Sequence, residues 1–378
     1  MKIIYIANVR MPTEKAHGLQ IMKMCEAFKV NGVELELVVP KRSNKIKSDP
    51  FEYYDIKNKF KITYIPCLDF ISAFPILGKF WFLLQLFTFI IGARLYLIFN
   101  KADLIFTRSP IITALFKNAT VEVHHLSKNN KKLEAWLLRR AKKNVVLTSY
   151  LKKTLMDYGV KAENVLVSPD AVDLDIFDLD LSKEQARELL NLPNNKKILV
   201  YTGKFTTMGE DKGLSLDFKA VSLMPAQDIL LIAVGGSPWE VEKYNILAQN
   251  LGISDKIMLL GGCNQKTLAI YQKAADILLM TFPNTEHYAY YMSPLKMFEY
   301  MASKRPIIAS DLPSIRDVLQ GDDCLFISPG STQDLLNKIN FVLNNPLNVR
   351  DIAELAYRRI SNFTWTKRAD NIQRFISN

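Results

Sequence analysis

The segment KKILVYTGK, running from Lys196 to Lys204, is a short apolar run closed by a glycine and a lysine. It reads as a buried strand that enters a loop. Its place in the chain matters more than its composition, because an alternation of strands and helices that has already run once starts again here. Downstream, LSLDFKAVSLM, VEKYNILAQNLG and KTLAIYQKA have helical character, while DILLIAVGG, KIMLLGG, DILLMTFP and RPIIASD read as strands. Upstream, KIIYIA, VELELVVP, ADLIFTRSP, ATVEVHH, KNVVLTS and ENVLVSP read as strands. Between them lie helices such as LQIMKMCEAFKVNG, with Ile21, Met24, Cys25 and Phe28 on one face. Short apolar strands alternating with helices predict parallel sheets covered on both sides. The fold class is therefore α/β, in two successive domains. The polar, acidic stretch AVDLDIFDLDLSKEQA is the expected join. It divides the chain into residues 1–175 and 176–362, with a closing helix over 363–378 that packs back on the first domain through Trp365 and Phe375.

A chain of 378 residues, 49% hydrophobic and 23% charged, suits two globular domains. The four cysteines, Cys25, Cys67, Cys263 and Cys324, are scattered, and none of the four histidines has zinc-ligand spacing. No metal site and no cofactor are expected. MKIIYIANVRMP begins as a strand and lacks the pattern of a signal peptide, so the expected compartment is the cytoplasm. The net charge of +11 is uneven: residues 1–178 hold 27 Lys+Arg against 17 Asp+Glu, and the remainder 22 against 21. That asymmetry predicts a negatively charged partner for the first half alone.

In open parallel sheets, ligands bind beyond the carboxyl ends of the strands, so two such domains are expected to face a common cleft. The candidate groups lie in strand-end segments. In SPLKMFEYMASKRPIIASDLP, Ser293 reads as a helix N-cap and Pro294 as the first helical residue, which makes the helix start an anion site. Glu299 falls on the apolar face of that helix beside Leu295, Phe298 and Ala302. Its alternatives are a salt bridge to Lys296 or a role as acceptor for ribose hydroxyls, with a phosphate at the helix tip. TGKFTTMGEDKG supplies Lys204 and Lys212, two cations that suit a diphosphate. KAHGLQ places Gly18 at a helix start, where backbone and ligand can approach closely. VEVHHLSK ends a strand with Glu122, His124 and His125, and a histidine there can orient a substrate. The D-x-D triplets of DLDIFDLD are expected in a solvated linker.

FWFLLQLFTFIIGA, Phe80 to Ala93, has only Gln85 and Thr88 as polar residues. At 14 residues it is too short to cross a bilayer. It is expected either as a buried helix of the first domain or as a helix lying on a membrane surface. The basic stretches PKRSNKIK, KNKFK and KNNKKLEAWLLRRAKK favour the surface, and an anionic membrane is the expected partner of this domain.

The motifs HGLQIMKMCEAF, VEVHHL, VVLTSYLKKTLMDYGV, VLVSPDAVDLDIF, GKFTTMGEDKG, SPLKMFEYMASKRPIIASDLPSIRDVL and FTWTKRA, in that order, resemble those of the family 4 retaining glycosyltransferases. The resemblance covers nearly the whole chain. It implies the GT-B fold, two Rossmann-like domains whose parallel sheets face a central cleft, with the acceptor on the first domain and the nucleotide sugar on the second. It implies that Glu299 holds the nucleotide's ribose, and that Lys204, after Gly203, and Lys212 contact the diphosphate together with the helix start at Ser293, Pro294 and Leu295. His124 lies near the donor sugar and Gly18 beneath it. Catalytic roles thus fall to His124, Lys204 and Lys212. The chain departs from the family where the first acid of its E-x(7)-E motif should stand. Tyr291 is there, with Glu286 nearby but out of register, and PDAVD replaces PNGVD. The implied activity is metal-independent transfer of a sugar, with retention, to a membrane-associated glycan or glycolipid acceptor in cell-surface polysaccharide biosynthesis. The implied setting is the cytoplasmic face of the cell membrane, with no nucleic acid. The competing readings are another GT-B enzyme, such as a sugar-nucleotide epimerase, and a non-catalytic basic protein that binds membrane or nucleic acid.

Overall fold

The computed structural model describes residues 1–71, 77–116, 118–127, 129–207, 209–224 and 229–377. The chain forms two units, one of Met1–Pro169 with the closing segment from Trp365, the other of Asp170–Thr364.

The first unit holds strands β1 (Lys2–Ile6), β2 (Glu34–Lys41), β3 (Lys61–Pro66), β4 (Leu104–Thr107), β5 (Ala119–Val123), β6 (Lys143–Val146) and β7 (Val165–Val167). All pair in parallel, in the order β3-β2-β1-β4-β5-β6-β7. β1 lies inside the sheet, and its continuous apolar run Ile3–Ile6 is buried on both faces, as expected of a strand covered by helices. The strand order reverses between β1 and β4, and the loops at such a reversal are where ligands bind in α/β sheets.

The second unit begins with β8 (Lys197–Thr202), followed by the two-residue hairpin β9 (Thr206–Thr207) and β10 (Glu210–Asp211). Its sheet continues with β11 (Ile229–Gly236), β12 (Ile257–Gly261), β13 (Ile277–Met280), β14 (Ile307–Ser310) and β15 (Leu325–Ile327). It too is parallel, in the order β12-β11-β8-β13-β14-β15, with its reversal between β8 and β13. Apolar clusters cover both faces: Val200, Ile232, Leu278 and Phe298 share one, and Leu199, Leu231, Leu279 and Phe218 the other.

The division falls at Pro169–Asp170 rather than after residue 175. The acidic stretch is also not a solvated linker. Val172 N–H donates to Phe363 O at 2.9 Å, and Ile176 and Phe177 are buried in the second unit's core. Asp173 caps the short helix Leu174–Phe177, and Asp178 accepts from Tyr357 Oη at 2.7 Å. The closing helix Trp365–Ser377 buries Trp365, Arg368, Ala369, Ile372 and Ile376. Phe375, expected as an anchor, is only half-buried, with the Lys143 ammonium 4.8 Å from its ring centre.

The apolar segment is longer than its sequence suggested. The helix runs from Gly78 to Phe99, 22 residues, long and apolar enough by length and composition to cross a membrane. It packs along β3 through a narrow stripe of Gln85, Phe89, Ile90 and Ala93, and Gln85 Nε2 donates to Asn8 Oδ1 at 3.0 Å. Leu86, Tyr96 and Leu97 pack partly against the same core, while Phe80, Leu83, Phe87, Leu95 and Ile98 face outward.

Candidate active site

In the second unit, β8 ends at Gly203, whose φ of +105° turns the chain sharply, and Gly203 N–H donates to Val234 O at 2.8 Å. Tyr201 Oη donates to Lys204 O at 2.8 Å, which fixes the far side of the turn, and the Lys204 side chain is exposed. The hairpin then brings the chain back to Lys212 and Gly213. Gly213 has φ of +106°, and a Cβ there would stand 2.0 Å from Thr281 O, so only glycine fits at this crossing beside β13. Asp211 braces the crossing by accepting from Gly213 N–H, from the Ser215 hydroxyl and from Tyr244 Oη. Burial pulls the Lys212 ammonium down to about 8, and Lys204 adds to the shift.

Across from this loop lies the helix Leu295–Ala302. Pro294, in an extended conformation, occupies its cap position, and Ser293 is not the N-cap that the sequence predicts. The Ser293 hydroxyl instead accepts from Asp170 N–H at 2.8 Å, which ties the helix start to the PDAVD segment. Met297 N–H donates to Pro294 O at 3.0 Å, and the N–H groups ahead of it keep the unpaired character of any helix start.

Glu299 is buried, and its Oε2 accepts from Gln272 Nε2 at 2.9 Å. Burial pushes its carboxyl up to about 7, with Gln272 and then Lys296 acting against that rise. No ion pair joins Glu299 to Lys296. The Lys296 ammonium lies 3.5 Å from the ring centre of Tyr201 and 5.4 Å from that of Phe282. The salt-bridge alternative for Glu299 is thereby removed. Tyr291, where the motif's first acid is missing, closes a π-helical turn, His287–Tyr291. That turn brings the Tyr291 hydroxyl to Glu286 Oε1 at 3.2 Å.

In the first unit, β5 carries Glu122 into the interior and leads into His124. Glu122 accepts from Arg108 Nε at 3.0 Å, Arg368 Nη2 at 2.6 Å and Tyr5 Oη at 3.2 Å. His124 Nε2 stands 3.4 Å from Glu122 Oε1. Burial, and then the charge of Arg108, hold the imidazole down to about 4, so it is neutral at ordinary pH. Its neighbour His125 is exposed. Gly18 sits in the first turn of the helix Ala16–Val30, and a Cβ there would meet Tyr54 Oη at 2.2 Å and Thr13 Cγ2 at 2.6 Å. Packing within the domain requires this glycine whether or not a ligand approaches it.

The second unit thus holds Gly203, Lys204 and Lys212 on the segment after β8, and Ser293, Pro294, Leu295 and Glu299 before and along the helix Leu295–Ala302, while the first holds Gly18 and His124. Lys296, Gln272, Arg108 and Arg368 complete these clusters and were not singled out as site residues from the sequence. Arg368 had a readable signal, a charge at helical spacing among Trp365, Ala369 and Ile372. Among the described residues no group of His, Cys, Asp and Glu is arranged to hold a metal ion.

The profile of Glycosyltransferase Family 4 matches residues 18–176, and that of Glycosyl transferases group 1 matches residues 182–359. A D-inositol 3-phosphate glycosyltransferase of Xylanimonas cellulosilytica is 25% identical over 173 residues, 44% of this chain and 39% of that protein. The chain spans about half the length of the curated relatives it matches. Among solved structures, sucrose-phosphate synthase from Thermosynechococcus elongatus superposes with a TM-score of 0.79 at 19% identity, over 100% of this chain and 98% of that one. Anabaena Alr3699/HepE in complex with UDP does so with a TM-score of 0.73 at 16% identity, over 100% of both chains.

Proposed function

The chain belongs to glycosyltransferase family 4 and has the GT-B fold, and from that premise we propose that it moves a sugar from a nucleoside-diphosphate donor to a membrane-associated acceptor, with retention at the anomeric carbon. The observation that carries this reading is the grouping in the second unit: two lysines at the Gly203 turn, a helix start, and a buried carboxylate one turn further along that helix. Lys204, Lys212 and the N–H groups after Pro294 supply positive charge for a diphosphate, and most of all for the charge that grows as it leaves. Glu299 Oε1 is left to accept from a ribose hydroxyl, because Gln272 occupies only the other oxygen. The reading calls for no metal and no cofactor. His124, neutral and backed by Glu122, donates to or accepts from a sugar hydroxyl. The acceptor hydroxyl attacks the anomeric carbon on the face that the diphosphate leaves, and its proton passes to a donor phosphate oxygen.

The acceptor class rests on the first unit. A helix 22 residues long that exposes Phe80, Leu83, Phe87, Leu95 and Ile98, in a half of the chain with a large positive excess, suits an anionic lipid surface. Its packing along β3 and the Gln85–Asn8 bond support a helix lying on the surface rather than crossing it. The acceptor is then a lipid-linked glycan or glycolipid at the cytoplasmic face, and the product a cell-surface polysaccharide. The test is a calorimetric and thermal-shift panel of nucleotides and nucleotide sugars, uridine nucleotides first because HepE holds UDP. It is followed by transfer from the donor found to lipid-linked acceptors. A chain that binds no nucleoside diphosphate and releases none from any nucleotide sugar ends this reading.

A further inference from the structure

Lys296 is 7% exposed, and its Nζ has no hydrogen-bond partner among the described residues. Its surroundings do not explain a buried ammonium. The nearest groups are the rings of Tyr201 and Phe282, and the ring of Phe282 also has the Lys212 ammonium 5.7 Å from its centre. Two cations therefore share one aromatic ring, and among the described residues no carboxylate is ion-paired to either. Asp217 and Glu299 lie in the neighbourhood, but Asp217 Oδ1 accepts from Thr281 Oγ1 at 2.7 Å and Glu299 from Gln272. The Lys296 side chain also runs directly under the donor turn: its Cε and Nζ lie 3.5 and 3.8 Å from where a Cβ on Gly203 would stand. Aromatic rings soften the loss of water around an ammonium without replacing it. What this arrangement lacks is an anion.

We propose that Lys296 is a further diphosphate-holding cation, seated beneath Gly203, which together with Lys212 grips the phosphates of the donor. The inference rests on the donor reading given above and adds to it a residue on the inner wall of the site. It also bears on the state of the free protein. Burial, and then the charge of Lys212, hold the Lys296 ammonium well below the usual lysine range, against the opposing pull of Asp217 and Glu299. The groups that face it are Tyr201 on β8, Lys212 after β10, Asp217 on the helix Leu214–Ser222 and Glu299 on its own helix. Asp217, whose carboxyl burial raises well above the usual carboxylate range, accepts from Thr281 and makes no ion pair with Lys296. An arriving diphosphate favours the charged amine, against the burial that disfavours it.

The test is isothermal titration of the full chain with UDP, with GDP and ADP beside it, and with uridine as the phosphate-free control. It is run in two buffers of different ionisation enthalpy at about pH 8.5, above the titration of Glu299. Lys296→Met is expected to weaken the nucleoside diphosphate by at least about tenfold and leave uridine unchanged. Wild type is expected to take up more protons per diphosphate bound than Lys296→Met does. A folded Lys296→Met variant that binds the diphosphate as wild type does makes Lys296 a core lysine and overturns the proposal. Should the methionine variant fail to fold, Lys296→Gln is measured in its place, and unchanged diphosphate binding there overturns the proposal by the same result. If wild type binds none of the three diphosphates, the donor reading itself falls and Lys296 with it. Binding without the Lys296 effects leaves that reading intact and removes only this inference.

Discussion

Arg368, on the closing helix, donates to Glu122 at the end of β5 at 2.6 Å, and both side chains are buried. Arg368 also donates to Pro169 O at 2.7 Å, so the last helix of the chain locks onto the same strand that presents His124. Removing one partner of a buried pair leaves an uncompensated charge and costs about 3–5 kcal/mol. Arg368→Met is therefore expected to lower the melting temperature sharply and to reduce turnover by loosening Glu122 beneath His124. The acid limb gives a second readout. Arg108 and Arg368 outweigh burial and hold Glu122 well below the usual carboxylate range. A depressed folded-state pKa gives stability that is present above the unfolded value and is lost as pH falls through the folded one. Wild type should thus lose this contribution progressively as pH falls below about 4, near the unfolded glutamate value, down to the depressed folded value, while the variant, with Arg108 alone beside Glu122, has less of it to lose. Identical acid limbs in denaturant melts would remove Arg368 from the pair.

Glu299→Ala is expected to fold and to bind the donor more weakly by about 1.5–3 kcal/mol, the range for a hydrogen bond to a charged group. The pH dependence identifies the cause. Burial raises the carboxyl to about 7, so the acceptor form gains population as pH rises through neutrality. Donor affinity should rise over the same interval, and Glu299→Gln should flatten that rise. Titrations at several pH values decide it, and equal affinity in all three proteins would mean that Glu299 serves only Gln272.

Lys204→Ala and Lys212→Ala should lower kcat more than they alter folding, because their charge acts on a leaving group that becomes more negative in the transition state. Lys212 should matter more, on the order of a hundredfold, since it is partly buried while Lys204 is exposed. Because Lys212 titrates near 8 in the free protein, kcat/KM should fall above that pH. Lys212→Arg should move the fall upward. His124→Ala should reduce turnover as well, and full activity in that variant would make it a structural histidine.

What the sequence made legible was periodicity. Runs such as Ile3–Ile6 and Ile198–Tyr201 announce strands buried on both faces, and the restart at Lys196 separates two sheets. Glu299 stood out because a carboxylate on an apolar helical face needs a reason. Direction was not legible. Three-residue spacing places Lys296 beside Glu299, but its long side chain turns the other way, onto Tyr201. Ser-Pro looks like a cap, yet the Ser293 hydroxyl is taken by the backbone of Asp170, far away in sequence. The apolar stretch Phe80 to Ala93 stops at the charge of Arg94. Its guanidinium instead lies 5.0 Å from the ring centre of Phe116, and the helix continues past it to Phe99.

The last prediction concerns the outward face of the helix Gly78–Phe99. Its buried stripe is narrow, and Leu83 and Phe87 are 60% and 63% exposed. Lys79, in its first turn, and Lys101, just past its end, are exposed. The basic helix Lys131–Arg140 adds an exposed Trp136, with the Arg140 guanidinium 4.7 Å from its ring centre. On anionic lipid the apolar side chains enter the interface, and each nearby lysine or arginine adds about 1 kcal/mol of attraction. We expect the chain to sediment with vesicles containing phosphatidylglycerol and not with neutral ones. Binding should fall as salt rises, because the screening length shrinks from about 10 Å at 0.1 M to about 3 Å at 1 M. Leu83→Ser, Phe87→Ser and Leu95→Ser change side chains that already face outward, so folding should survive while vesicle binding weakens. Transfer to a water-soluble acceptor should be untouched by these changes, and transfer to a lipid-linked acceptor in vesicles reduced. A protein that ignores anionic vesicles at low salt yet glycosylates a soluble acceptor efficiently has no membrane-seated first domain, and the acceptor class must then be sought among soluble glycans.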